Sequence, residues 1–357
     1  MNPSPTMKPR LFATALAAVL SVGGAFAPVA AAQPAVPDAP VATAAGVAPA
    51  DVASTDVDLV DTARSDPWTG APERALALTV DSPTNATTER SLPVVLFSPG
   101  FMVPRDAYRT LTRDLASRGY VVLSVDHTGD AVATRFADGR VVPMQLPDPY
   151  SDATLQRAID TRVADLGFVA DALRAGTAPL PAGVAAAADP SRLGVFGHSL
   201  GGASAAEFAR TDARVGAAVN LDGALFYGSE AAPVATQGND RPLLNVVTDV
   251  HAASPEGRER YLDSYLSTPR AWSRVYALAD TRHMSFTDAE TLVPQFVPDP
   301  PGQDVPGGFG LGSAPRQEVA DTTHDLTAGM FDRFLRGKDV AWLDDAAGRY
   351  PLVSEVR

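Results

Sequence analysis
Short apolar runs alternate with stretches of helical periodicity along most of this 357-residue chain. The runs at about 75–80, 93–98, 120–126, 193–197, 217–221, 243–248 and 274–279 are rich in Val, Leu, Ala and Phe, and they predict strands. Helices are predicted between them at about 105–118, 155–175, 201–212, 254–267 and 322–336. In the second of these, Ile159, Val163, Leu166, Val169 and Leu173 recur at three- and four-residue steps, which makes one apolar stripe for a sheet to cover. Strand and helix in alternation imply βαβ crossovers, hence an α/β fold with a mostly parallel central sheet and helices on both faces. The Pro- and Gly-rich segments 141–151 and 292–315 fit neither period and are expected as loops over the face that carries the site.

The N-terminal part departs from this pattern. Lys8 and Arg10 precede an apolar run at 11–27, followed by Ala30, Ala31 and Ala32, which reads as an export signal cut near Ala32. The run is short for a membrane span and no stop-transfer segment follows, so a secreted chain without a stable membrane anchor is expected. Residues 33–66 are rich in Ala, Pro, Val, Thr and Asp without a sustained period and are expected to form a flexible leader, leaving 67–357 as a single domain. The chain has no cysteine, so an exported form must rely on its core rather than on disulfides. Loss of residues 1–32 takes away two positive charges and no acids, so the formal charge moves from −13 to −15. Such a surface argues against nucleic acid and anionic membranes as partners.

The run Gly197-His198-Ser199-Leu200-Gly201-Gly202 follows a predicted strand and precedes an Ala-rich helical pattern. A G-x-S-x-G motif in that context is a nucleophile elbow, a turn that lifts a serine oxygen out of the end of a sheet. The glycines let strand and helix approach closely around it. An ester-cleaving serine needs a base, an acid to orient the base, and amide donors for the oxyanion. With the chain order serine, acid, histidine, three of the five histidines remain: His251, His283 and His324. His283 stands on a loop past the end of the last core strand, where the base belongs. His324 reads as an exposed first-turn residue of a helix, His251 as a solvated loop residue, His127 as a structural residue at a strand end, and His198 as a packed or hydrogen-bonded residue of the elbow. Asp222 and Asp249 each end a strand facing the site, and Asp280 is a third candidate; spacing alone leaves the acid open. The oxyanion donors are expected to be the amides of Leu200 and of Phe101, the latter on the loop Ser98-Pro99-Gly100-Phe101-Met102. Phe101, Met102, Phe226 and Tyr227 are candidates for an acyl pocket. No clustered His, Asp or Glu set suggests a metal, and no cofactor is expected.

Several ordered segments carry a resemblance: Val95-Leu96-Phe97-Ser98-Pro99-Gly100-Phe101, Leu115-Ala116-Ser117-Arg118-Gly119-Tyr120, Ser124-Val125-Asp126-His127, the helical Arg162-Val163-Ala164-Asp165-Leu166-Gly167-Phe168-Val169, the elbow, Leu221-Asp222-Gly223 and His283. Over roughly 93–340 the chain resembles the platelet-activating-factor acetylhydrolase family, the lipoprotein-associated phospholipase group with its bacterial secreted esterase relatives. The resemblance implies an α/β-hydrolase fold and an acid on the strand directly after the elbow helix, about two dozen residues past the serine; Asp222 lies 23 residues after Ser199. It therefore implies Ser199, Asp222 and His283 as the catalytic set. The chain departs from the family in having Pro99 where a histidine is common, and in the long Pro/Gly-rich insert after His283; both bear on the substrate class rather than the chemistry. The expected function is a secreted serine carboxylic-ester hydrolase acting through an acyl-enzyme on short-acyl esters, platelet-activating-factor-like phospholipids included. A lipase or cutinase-like polyester hydrolase is the alternative within hydrolases, and a non-catalytic exported binding protein the alternative outside them.

Overall fold
The computed structural model describes residues 51–86, 91–149, 151–227, 230–253, 262–268, 271–289 and 310–357. Nine strands form the main sheet: β1 (Val52–Asp61), β2 (Arg74–Pro83), β3 (Leu92–Ser98), β4 (Val121–Asp126), β5 (Ala188–His198), β6 (Val215–Leu221), β7 (Leu243–Thr248), β8 (Ser273–Leu278) and β9 (Val353–Glu355), in the spatial order β1-β2-β4-β3-β5-β6-β7-β8-β9. Strands β3 to β8 run parallel, whereas β1, β2 and β9 join through antiparallel pairings. All six residues of β4 and of β7 are buried, so their apolar residues do not alternate with exposed polar ones; the polar Ser124, Asp126, Asn245 and Thr248 within them are buried too.

Helices α1 (Arg109–Ser117) and α5 (Arg316–Arg336) cover one face of the sheet, where Phe97, Tyr108, Phe196, Leu326 and Phe331 pack together. The other face lies under α2 (Asp152–Ala175) and α3 (Leu200–Thr211), packed through Leu123, Leu166, Val169, Val195 and Phe208. The Ser151 hydroxyl caps α2 by accepting from the Thr154 amide, and Gly176, at φ 69°, ends it in the left-handed region. Of its stripe, Ile159, Leu166, Val169 and Leu173 are buried and Val163 is partly so. After β3 the chain steps to β4 on one side and then returns to place β5 on the other. The strand order thus switches at β3, and the carboxyl ends of β3 and β5 flank the crevice where α/β sheets place their sites.

The structure corrects the expected secondary structure in three places. Residues 52–61, expected in the leader, form β1 and pair with β2 over its full length, so the domain starts before residue 67. This strand is a half-exposed edge, and its partner supplies the order that its own weak pattern does not announce. The last helix starts at Arg316 rather than near 322, which places His324 in the helix interior, buried and 3.7 Å from Asp114, not exposed in a first turn. Residues 141–143, expected as loop, pair as a short ribbon with Ala133–Arg135. The expected export signal (1–32), the leader as far as residue 50, the first part of the helix at 254–267 and most of the loop at 292–315 lie outside the described residues. Among the described residues no helix is long and apolar enough to cross a membrane.

Candidate active site
Strand β5 runs into α3 through Ser199, which has φ 56° and ψ −128°, a backbone conformation that a serine adopts only under constraint. The constraint is close packing. A Cβ at Gly197 would come within 2.4 Å of the Gly201 backbone, and one at Gly201 within 2.0 Å of the Ser98 carbonyl oxygen. Only glycine fits at both positions, and the serine between them projects from the turn.

The Ser199 hydroxyl lies 2.8 Å from His283 Nε2, and His283 Nδ1 lies 2.7 Å from Asp222 Oδ2. A carboxylate only accepts, so the imidazole proton sits on Nδ1 and Nε2 is free to accept from the serine. His283 opens a single 3₁₀ turn (His283–Phe286) just past β8. Asp222 follows β6 at φ 49°. There Asn220 brackets the turn, its Oδ1 accepting from the Gly223 amide at 2.9 Å and its Nδ2 donating to the Gly223 carbonyl at 2.8 Å. The other carboxylate oxygen, Asp222 Oδ1, accepts from the Thr248 amide at 3.0 Å and from His251 Nδ1 at 2.9 Å. His251, expected as a solvated loop residue, therefore reaches the site from the short helix α4 (Asp249–Ala253). Burial by itself would raise the Asp222 pKa, but the hydrogen bonds from His251 and then His283 hold it well below the usual carboxylate range. Asp249 is engaged elsewhere: its carboxylate accepts from the Val250 and Asp280 amides, at 2.8 and 2.9 Å.

Behind the elbow, His198 Nε2 donates to the His283 carbonyl at 2.8 Å, leaving Nδ1 to accept from the Tyr108 hydroxyl at 2.9 Å. Tyr108 in turn accepts from the Gly100 amide at 3.0 Å. Burial, and the positive field of His283 when protonated, push the His198 pKa down to about 3, so it stays neutral and keeps this polarity. Burial likewise raises the Tyr108 pKa, which keeps its proton available to His198. Gly100 lies against the elbow: a Cβ there would stand 3.5 Å from Ser199 Cβ. Met102, at φ 64°, is buried beneath the same loop and bridges to Ala131; Phe101 and Phe226 are partly buried, and the Tyr227 side chain lies outside the described set. Arg162 of α2 donates to the carbonyls of Pro99 and Gly100, at 2.5 and 3.2 Å. The sequence marks His251 only as one of three histidines after the serine, read as a solvated loop residue, and gives neither Tyr108 nor Arg162 a role in the site. The available signal is a charged residue, Arg162, on the apolar stripe of α2 between Ile159 and Leu166, since a charge there must find a buried partner.

The family model for platelet-activating factor acetylhydrolase, isoform II, matches residues 74–144, from β2 through the Gly100 loop and β4. A protein of Arthroderma benhamiae, named probable 1-alkyl-2-acetylglycerophosphocholine esterase, is 25% identical over 270 residues, 73% of this chain and 65% of its own length. The chain thus spans less than two thirds of that curated relative. The solved structure of ferulic acid esterase from Streptomyces cinnamoneus superposes with a TM-score of 0.73 and 30% identity, covering 87% of this chain and 98% of that one. The chain belongs to the platelet-activating-factor acetylhydrolase-like α/β-hydrolases. Both relatives carry esterase names, and membership of this family accounts for the mostly parallel sheet covered by helices on both faces. Ser199, Asp222 and His283 lie outside the stretch matched by the family model, so their meeting is an observation independent of it.

Proposed function
We propose that this protein is a serine carboxylic-ester hydrolase acting through an acyl-enzyme on short-acyl esters. The observation that carries the reading is the hydrogen-bonded series Ser199–His283–Asp222 at a strained strand-to-helix turn. In this reading Ser199 Oγ attacks the ester carbonyl while His283 Nε2 takes its proton, and Asp222 holds the imidazole in the required tautomer and faces the imidazolium that forms. The amides of Leu200 and Phe101 donate to the oxyanion. The alcohol leaves with the proton from His283, and water, activated by the same nitrogen, releases the acid. The N-terminal apolar run behind Lys8 and Arg10 supports export as the setting of this activity.

An acetyl ester of a platelet-activating-factor-like phospholipid fits the reading, in line with the activity named for the Arthroderma protein. An aromatic acyl group is the second reading, favoured by the match to ferulic acid esterase over 98% of its length. The test is labelling by a fluorophosphonate probe together with turnover of p-nitrophenyl acetate, an acetyl phospholipid and methyl ferulate. One adduct at Ser199 and a loss of ~10³ or more in turnover in Ser199→Ala are expected. An adduct at another serine, or retained turnover, overturns the assignment.

A further inference from the structure
Arg162 has all five N–H donors placed. Nε and Nη2 grip the two carboxylate oxygens of Asp130 at 2.7 and 2.9 Å. Nη1 donates to the Pro99 carbonyl at 2.5 Å and to Ser98 Oγ at 3.3 Å, and the second proton of Nη2 reaches the Gly100 carbonyl at 3.2 Å. The guanidinium and Asp130 are both buried; the pair ties α2 to the loop that follows β4, and the remaining donors of Arg162 tie it to the loop that follows β3.

Peptide planarity turns these contacts into an orientation. The Gly100 carbonyl and the Phe101 N–H belong to one planar trans unit and point in opposite directions. The Gly100 carbonyl accepts from the Val103 amide at 3.2 Å within the loop as well as from Arg162, and the two donors together fix the Phe101 N–H on the side away from them. The preceding unit is held at both ends, its Pro99 carbonyl by Arg162 and its Gly100 N–H by Tyr108. Donation into the Gly100 carbonyl also polarises that peptide and makes its N–H a better donor. We propose that Arg162 is a positioning residue for ester hydrolysis, setting the direction of the Phe101 N–H toward the developing oxyanion through the Gly100–Phe101 peptide.

The proposal rests on the reading of Ser199 as nucleophile and of the Phe101 amide as oxyanion donor. Lysine at position 162 keeps a charge for Asp130 but cannot present a planar fork to two carbonyls. The experiment compares Arg162→Lys with the unaltered protein on p-nitrophenyl acetate, with kcat referred to sites titrated to completion by a fluorophosphonate, and with Ki for a methyl trifluoromethyl ketone. The ketone forms a tetrahedral adduct whose oxyanion needs the same amide. Loss of one oxyanion donor costs about 10²–10³ in kcat, so a misdirected donor is expected to cost about 10–100-fold in kcat per titrated site, with KM within about twofold and Ki raised in parallel. A merely structural role would lower the number of titrated sites and leave kcat per site and Ki alone; that result overturns the proposal. Should Arg162→Lys not fold, Asp130→Asn, which loosens the guanidinium without removing it, is read in the same way: parallel loss of kcat and ketone affinity supports the proposal, unchanged values overturn it. Ser199→Ala runs beside them, and its retained turnover would remove the underlying reading and this proposal together, whereas an inactive Ser199→Ala with a fully active Arg162→Lys removes this proposal alone.

Discussion

The carboxylate of Asp222 serves two histidines and a backbone amide, and its two oxygens divide the work. Oδ2 orients His283, while Oδ1 is tied to His251 and Thr248. Asp222→Asn keeps the shape but offers an amide that suits the wrong imidazole tautomer. By analogy with serine proteases, kcat on a soluble acetyl ester is expected to fall by up to ~10⁴, against less than about tenfold for Asp249→Asn at equal folded fraction. If Asp249→Asn is the inactive variant, the acid assignment is wrong. His198 makes a second prediction, this time on stability. Its pKa is 6.5 when unperturbed and about 3 in the fold, so between these values the unfolded chain binds a proton that the folded one refuses. Stability is therefore unaffected by this group above about pH 7 and declines as pH falls through 6.5, by about 2 kcal/mol at pH 5. Urea unfolding at about pH 7.5 and about pH 5 is expected to show that much less acid loss in His198→Asn, since the other titrating groups are common to both proteins. An identical pH dependence in the two would show that His198 is not buried in its neutral form.

The elbow is first of all a contact between elements. A methyl group at Gly201 meets the carbonyl oxygens of Ser98 and Pro99 at 2.0 and 2.3 Å, and neither can rotate away. Gly201→Ala is expected to lose more than about 3 kcal/mol or to accumulate as insoluble protein. Gly183, in the short helix Ala182–Ala187, has nothing within 4 Å of the equivalent position, and Gly183→Ala is expected to gain about 0.5–1 kcal/mol in denaturant unfolding. The same distinction between contact and local pattern explains what the sequence disclosed. The six parallel strands carry apolar runs and announce themselves, as does an elbow whose turn needs adjacent residues. Strands β1 and β9 are antiparallel edges whose order comes from their partners. Ser199 and His283 were legible as residue types near strand ends, whereas Asp222 shared that position with Asp249 and was singled out only by the family resemblance. Tyr108, Arg162 and His251 were not legible, because their roles depend on hydrogen bonds to residues 8, 62 and 29 positions away, respectively.

Across the whole molecule, one buried polar chain runs from the first strands to the site. Asp66 pairs with Arg74, Arg74 with Asp165, Asp165 accepts from His127, and His127 meets Ser98 Oγ, which Arg162 also reaches. Arg64, just past β1, binds Asp165 as well. A chain beginning at Asp51 and one beginning at Pro67 therefore differ by the whole of β1 and by two partners of this network. The shorter is expected to be less stable by about 3 kcal/mol or more in urea unfolding, since breaking buried ion pairs one-sidedly costs about that much. Equal stability would show that the sheet and the network are closed without residues 51–66. The same anchoring sets the terms for anyone who wishes to retarget this scaffold by loop exchange. The segment 98–102 is not a cassette: its Pro99 and Gly100 carbonyls accept from Arg162, its Met102 carbonyl from the Val132 amide, its Gly100 amide donates to Tyr108 and its serine meets His127. A loop borrowed from a relative inherits those sockets whether or not it fits them, so a successful graft has to carry Tyr108, His127, Asp130 and Arg162, or their counterparts, along with it.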